Sequence, residues 1–149
     1  MSAPLCRIVR EPIDAAVLLR ETVAPSDGAA LLFWGVVRNE HGARAVSHLE
    51  YEAYAPMAEA KLREIAAEAR ARWETGEIAV VHRVGRLEVG EASVAIVVAS
   101  PHRAEAYEAS RYVIEELKRR VPIWKREGYV DGASEWVPGF TPRVEEGAL

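Results

Sequence analysis

At 149 residues the chain fits one domain, and a chain of that length buries about two-thirds of its unfolded surface without staples. Half its residues are apolar, and 19 basic against 23 acidic residues leave a formal charge of −4, which argues against a general nucleic-acid binder but allows a local basic pocket. The lone Cys6 excludes an internal disulfide, the N-terminus carries no signal-like apolar run, and no stretch approaches the ~20 apolar residues of a membrane span, so a soluble cytoplasmic protein with no membrane partner is expected.

Leu5 to Val9 reads as a short strand with Cys6 and Ile8 on one face. Ile13 to Val23 has helical spacing after Pro12, and Pro25-Ser26-Asp27-Gly28 is a turn cluster. Ala29 to Val37 is apolar and strand-like, ending at Arg38, and Asn39 to Arg44 reads as a polar loop. Val46 to Tyr54 alternates, with Leu49 and Tyr51 opposite His48, Glu50 and Glu52, as in a half-buried strand. A helix follows from Pro56, with Ala58, Leu62, Ile65, Ala66, Ala69 and Trp73 on one face. Ile78 to Val84 is a strand, and Gly85 to Glu91 contains a turn. Ala92 to Ser100 is apolar on both faces, the pattern of a central strand. Ala104 to Arg120 is the second long helix, with short closing strands over Ile123 to Val130 and Ser134 to Val137 and an irregular tail from Pro138. The connections are too short for a long parallel series, so the fold class is α+β.

The chemistry concentrates near the second long helix. At Ser100-Pro101-His102-Arg103 a buried strand meets a helix start, with Ser100 as N-cap and Pro101 as first helical residue. Free N–H groups at a helix start suit phosphate, and His102 and Arg103 add basic side chains, although an ordinary capped helix with solvated basic residues has the same sequence. On a helical wheel Lys118 leaves the glutamate face and falls beside Tyr107, Arg111 and Ile114 at the edge of the apolar stripe. A lysine there is either a snorkelling side chain or a partly desolvated amine fit for proton transfer. Beyond Pro122, Lys125 shares a strand face with Ile123, while Trp124 and Arg126 point the other way. Lys125 can thus reach the Lys118 pocket or merely guard a strand edge. Arg38 closes an apolar strand, where a basic residue lines a site or is simply exposed. His82, in phase with Ile78, Val80 and Val84, reads as a hydrogen-bonded core histidine, and Cys6 as a small buried hydrophobe. Met57, Trp73, Phe33 and Trp34 read as core or interface, and the histidines show no metal-ligand spacing.

Read together, these segments resemble the large, catalytic subunit of molybdopterin synthase, the MoaE family. The matching pieces are Gly35-Val36-Val37-Arg38, Leu49-Glu50-Tyr51-Glu52-Ala53-Tyr54 with Met57-Ala58, His82-Arg83-Val84-Gly85 and Gly90-Glu91. Ser100-Pro101-His102-Arg103 with Ala106, Leu117-Lys118, Pro122-Ile123-Trp124-Lys125-Arg126-Glu127 and Trp136-Val137 complete them. The likeness implies an α/β-hammerhead-like single domain over residues 1–149, with a mixed or antiparallel sheet, two long helices and a short N-terminal helix. It implies conversion of cyclic pyranopterin monophosphate into molybdopterin by installing two dithiolene sulfurs. The sulfur arrives as a C-terminal Gly-Gly thiocarboxylate on a small ubiquitin-like, MoaD-like partner, and the large subunit forms a homodimer within a heterotetramer. Carried over by position, Lys118 and Lys125 are catalytic. Arg38, His102, Arg103, Lys125 and Arg126 bind substrate, with His102 and Arg103 contributed across the dimer; no metal or cofactor is implied. Two departures stand out. In Asn39-Glu40-His41-Gly42-Ala43 the glycine comes one position early, and near the family's C-terminal basic residue stands Phe140, leaving Arg143 as a substitute. The competing reading is a non-catalytic dimeric domain that binds a phosphorylated metabolite through the same helix start.

Overall fold

The computed structural model describes residues 5–137. Its elements run β1 (Cys6–Val9), α1 (Ala15–Thr22), β2 (Ala29–Val36), β3 (Glu40–His41), β4 (Arg44–Ala53), α2 (Ala55–Trp73), β5 (Ile78–Arg83), β6 (Gly85–Glu88), β7 (Ala92–Ser100), α3 (Arg103–Arg120), β8 (Ile123–Tyr129) and β9 (Ser134–Val137). The strands form two sheets. The first has the order β1-β5-β7-β2, with only β1 and β5 parallel. In the second, β4 lies between β6 and β8, β3 folds back on the start of β4, and β9 flanks β8.

All nine residues of β7 are buried, as its two-faced apolar run requires. Alternation sends Val94, Ile96 and Val98, with Ile78 and Val80 of β5, into the larger core beneath α2 and α3. Ala95, Val97, Ala79 and Val81 point the other way into a smaller core closed by Leu18 of α1. Asp14 caps α1 by accepting from the Val17 N–H at 3.1 Å. Helix α2 begins with a proline in its first turn and buries Ala58, Leu62, Ile65, Ala66 and Ala69. Helix α3 buries Ala106, Ala109, Val113 and Leu117. Arg120 clamps the two helices by donating to Glu68 and Glu116 at 2.7 and 3.2 Å, and Tyr112 donates to Glu68 at 2.7 Å. The Arg120 hydrogen bond holds the Glu68 carboxyl down at about 2.

Several expectations need correction. Residues 39–44 are not a plain loop but a tight hairpin, because Gly42 supplies the left-handed turn (φ 64°) that lets β3 pair with β4. Residues 85–91 hold strand β6, paired to β4, before their turn. Ser100 is the last residue of β7 and not a cap; His102 is the N-cap of α3, and its side chain makes no capping bond. Of the four residues read as core or interface, Trp73 packs against the larger core, while Met57, Phe33 and Trp34 are exposed, which leaves the interface reading for them. No helix among the described residues is long and apolar enough to cross a membrane.

His82 is the core histidine its spacing predicts. Its Nδ1 lies 2.8 Å from the Arg83 carbonyl oxygen, so that nitrogen carries the proton, and its ring meets Tyr51 edge-on at 5.0 Å. Burial pulls its pKa from 6.5 down to about 4; the Arg83 hydrogen bond opposes this and the Lys118 charge assists. The unfolded imidazole takes its proton near 6.5 and the folded one near 4. Stability is therefore fully present above pH 6.5 and is lost as pH falls toward 4. The span corresponds to up to about 3 kcal/mol. His82→Gln should flatten the urea-midpoint profile across that window; an equally steep acid loss in the variant would assign the loss to other groups.

Candidate active site

A cleft lies where the C-terminal half of α3 meets the β4–β8 pair and the end of β2. It encloses about 200 Å³, and Arg38, His41, Tyr51, Lys118, Lys125 and Glu127 are among its walls. Leu117, buried on α3, anchors the helix, and the next residue, turned about 100° around the axis, brings Lys118 to the cleft beside Ile114. On β8, Ile123 is buried, and the period of two puts Lys125 and Glu127 on the same side. Register holds them there: Lys125 pairs with Tyr51 and Glu127 with Leu49. The register between β2 and β7 shifts between Gly35 and Val36, just before Arg38. A Cβ on Gly35 would come within 2.7 Å of the Val94 side chain, so only glycine lets β2 lie this close to β7 at the cleft.

Lys118 is reached by solvent through the open cleft, yet protein atoms crowd its amine. That desolvation, and secondly the positive charge of Lys125, lower its pKa from the ordinary lysine value. The apolar-edge position seen in the sequence thus becomes a partly desolvated amine next to a second ammonium. Glu127 behaves differently. Burial pushes its pKa up, but hydrogen bonds from His41 and Tyr129 and the charges of His41 and Lys125 outweigh it, leaving the carboxyl below its usual range. Among the charged residues lining the cleft, three cations (Arg38, Lys118 and Lys125) face two carboxylates, Glu40 and Glu127.

Arg38, Lys118 and Lys125 are therefore brought together, and the other three predicted residues are not. Arg126 points away and hydrogen-bonds Glu50, with its guanidinium 5.6 Å from the Trp136 ring. His102 and Arg103 line a separate cleft with Gly28, Ala29, Pro101 and Ala104. Fifteen helical residues separate Arg103 from Lys118, roughly 22 Å at 1.5 Å per residue. Arg143 and the tail over 138–149 lie outside the described residues. Sequence reasoning missed Glu127 and His41. The first was legible as a strand neighbour in phase with Lys125; the second was hidden by reading its hairpin as a loop. Cys6 is buried, and desolvation raises its thiol pKa, the state of an inert packing residue. No group of potential metal ligands occurs among the described residues.

The sequence profile described as "MoaE protein" matches residues 8–120. The chain is 41% identical to the molybdopterin synthase catalytic subunit of Halalkalibacterium halodurans, over 98% of this chain and 99% of that one. It superposes on the crystal structure of molybdopterin synthase from Staphylococcus aureus with a TM-score of 0.86 at 41% identity, covering 91% and 98% of the two chains. A complex of subunits 1 and 2 of molybdopterin-converting factor from Helicobacter pylori shares the fold, with a TM-score of 0.77 at 22% identity and 98% and 99% coverage.

The electrostatics make one prediction. Lys125→Met removes the like charge, so the Lys118 amine should titrate at higher pH than in the wild type. It should stay below an ordinary lysine, because burial remains the larger cause. An NMR titration of isotope-labelled lysine amines reads this directly, and an unmoved titration would mean that the two ammonium groups do not interact.

Proposed function

The chain belongs to the MoaE protein family, and from that premise we infer that it is the catalytic subunit of a molybdopterin synthase, moving sulfur from a thiocarboxylated small subunit onto cyclic pyranopterin monophosphate. The observation that carries the assignment of chemistry is the Lys118 amine, partly desolvated and set beside Lys125 in a cleft with no protein thiol on its walls. Sulfur transfer with no cysteine at hand requires the sulfur to come in on a partner. The partner's terminal thiocarboxylate attacks the pterin side chain. Lys118 assists by proton transfer or by holding the partner's terminal carbonyl, and Lys125 and Arg38 oppose the developing negative charge. Water then frees the partner's carboxylate, and a second charged partner repeats the step. Residues 1–149 act here as one domain, and residence in the cytoplasm belongs to the same proposal. The relatives' shared activity favours this reading over a non-catalytic metabolite-binding domain.

Charge and distance support a homodimer within a heterotetramer. Glu40 and Glu127 offset much of the cleft's own positive charge, and a phosphorylated substrate needs more. His102 and Arg103, too far along α3 to help their own Lys118, are free to serve a second copy. Strand β2 is an edge of its sheet, with Phe33, Trp34 and Val36 exposed along it, which suits a face covered by another chain.

Two measurements test this. In a mixture with the thiocarboxylated small partner and the pterin precursor, the wild type should make molybdopterin and Lys118→Ala should lose at least about 10²-fold in rate. Its circular dichroism and partner binding should be kept; full activity in Lys118→Ala would remove that residue from the chemistry. Separately, mixing inactive Lys118→Ala with inactive Arg103→Ala should restore turnover, since a hybrid dimer regains one complete site. Failure of exchanged hybrids to recover any activity would confine each site to one chain.

A further inference from the structure

The hairpin that departs from the family pattern places a histidine where the mechanism above leaves a task unassigned. His41 lies at the tip of β3, next to the Gly42 turn, and its Nδ1 lies 2.8 Å from the Glu127 carboxylate across β4. A carboxylate only accepts, so Nδ1 donates to it, and in the neutral imidazole Nε2 is the nitrogen with a lone pair to offer. Glu127 is 4% exposed and is held from its other side by the Tyr129 hydroxyl, which donates at 2.8 Å. The carboxyl stays ionised for the reasons given above, and the His41 side chain is 49% exposed and open to water. Both residues line the cleft of Lys118 and Lys125. The other charged groups around the imidazole are Arg38 and Glu40, which line the cleft, and Arg44. Arg44 stacks on the Tyr129 ring at 3.5 Å and pairs with Asp131 and Glu135.

We propose that His41 and Glu127 form a general-base dyad that activates the water freeing the small partner's C-terminus from the sulfurated pterin. The proposal rests on the sulfur-transfer reading above. In that step the partner's terminal carbonyl carbon is joined to the pterin through the transferred sulfur, as a thioester. Water oxygen bonds to that carbon while Nε2 takes one of its protons, and the Glu127 carboxylate steadies the imidazolium. The carbon–sulfur bond breaks and its electron pair leaves on sulfur. The pterin keeps a thiolate, and the partner's new carboxylic acid gives water's second proton to solvent and becomes a carboxylate. The imidazolium returns its proton to the thiolate or to solvent, and no oxidant or reductant takes part.

A surface ion pair that only pins the hairpin predicts something different, and His41→Asn separates the two. The asparagine amide sits where Nδ1 does and still donates to Glu127, but it offers no base beyond. In single-turnover reactions of the complete synthase, intact-mass spectrometry should show the thioester adduct of partner and pterin accumulating in His41→Asn. Its release should be slowed about 10²-fold, with sulfur transfer itself unchanged. Release at the wild-type rate in His41→Asn would overturn the dyad. A wild type that forms neither adduct nor molybdopterin would overturn the sulfur-transfer reading itself, and the dyad with it.

Discussion

Two ammonium groups in one cleft repel each other, and the local fold is the means of holding them there. The backbone of Lys118 is fixed at the cleft, because its helix is anchored by Leu117 and Val113 in the larger core and by the Arg120 clamp to α2. The backbone of Lys125 is fixed too, because the register of β8 on β4 sets it opposite Tyr51. The strain of like charges and the loss of water both act on the amine, which makes Lys118 readier than a surface lysine to give up a proton. The opposing carboxylate of Glu127 lies on the same strand face, which keeps the cleft from accumulating positive charge with no counterion.

The same balance of charge underlies the proposal that one copy of the chain is an incomplete site. Glu40 and Glu127 offset two of the cleft's three cations, whereas the proposed substrate brings a phosphate. The basic residues best placed to take an anion, His102 and Arg103, stand at the opposite end of α3, where the N-terminal N–H groups also favour negative charge. A helix that displays an amine for chemistry near one end and an anion-friendly start at the other serves two sites when a second copy packs alongside.

Much of this was legible in the sequence, for definite physical reasons. The two-sided apolar run of Ala92 to Ser100 could only be a central strand, and the helical stripe from Ala58 to Ala69 could only face a core. Lys118 stood out because it broke the glutamate face of its own helix. What the sequence hid depends on tertiary pairing. Strand β6 is four residues long and exists because β4 offers it an edge. The β3–β4 hairpin depends on the conformation of one glycine. The start of α3 moved from Ser100 to His102 because β7 claims Ser100 as its last buried residue. Arg126 entered as a site residue only through the family resemblance; the strand period already turned it away from Lys125, and Glu50 holds it on the far side.

The central claim is that this protein supplies amines and a charged cleft while the sulfur comes from elsewhere. The most direct measurement is to follow isotopically labelled sulfur. A small partner carrying a heavy-sulfur thiocarboxylate is mixed with Cys6→Ser protein and the pterin precursor, and the dithiolene product is weighed by mass spectrometry. The account predicts normal product with both sulfurs heavy. Unlabelled sulfur in the product, or a synthase silenced by Cys6→Ser while still folded, would contradict it.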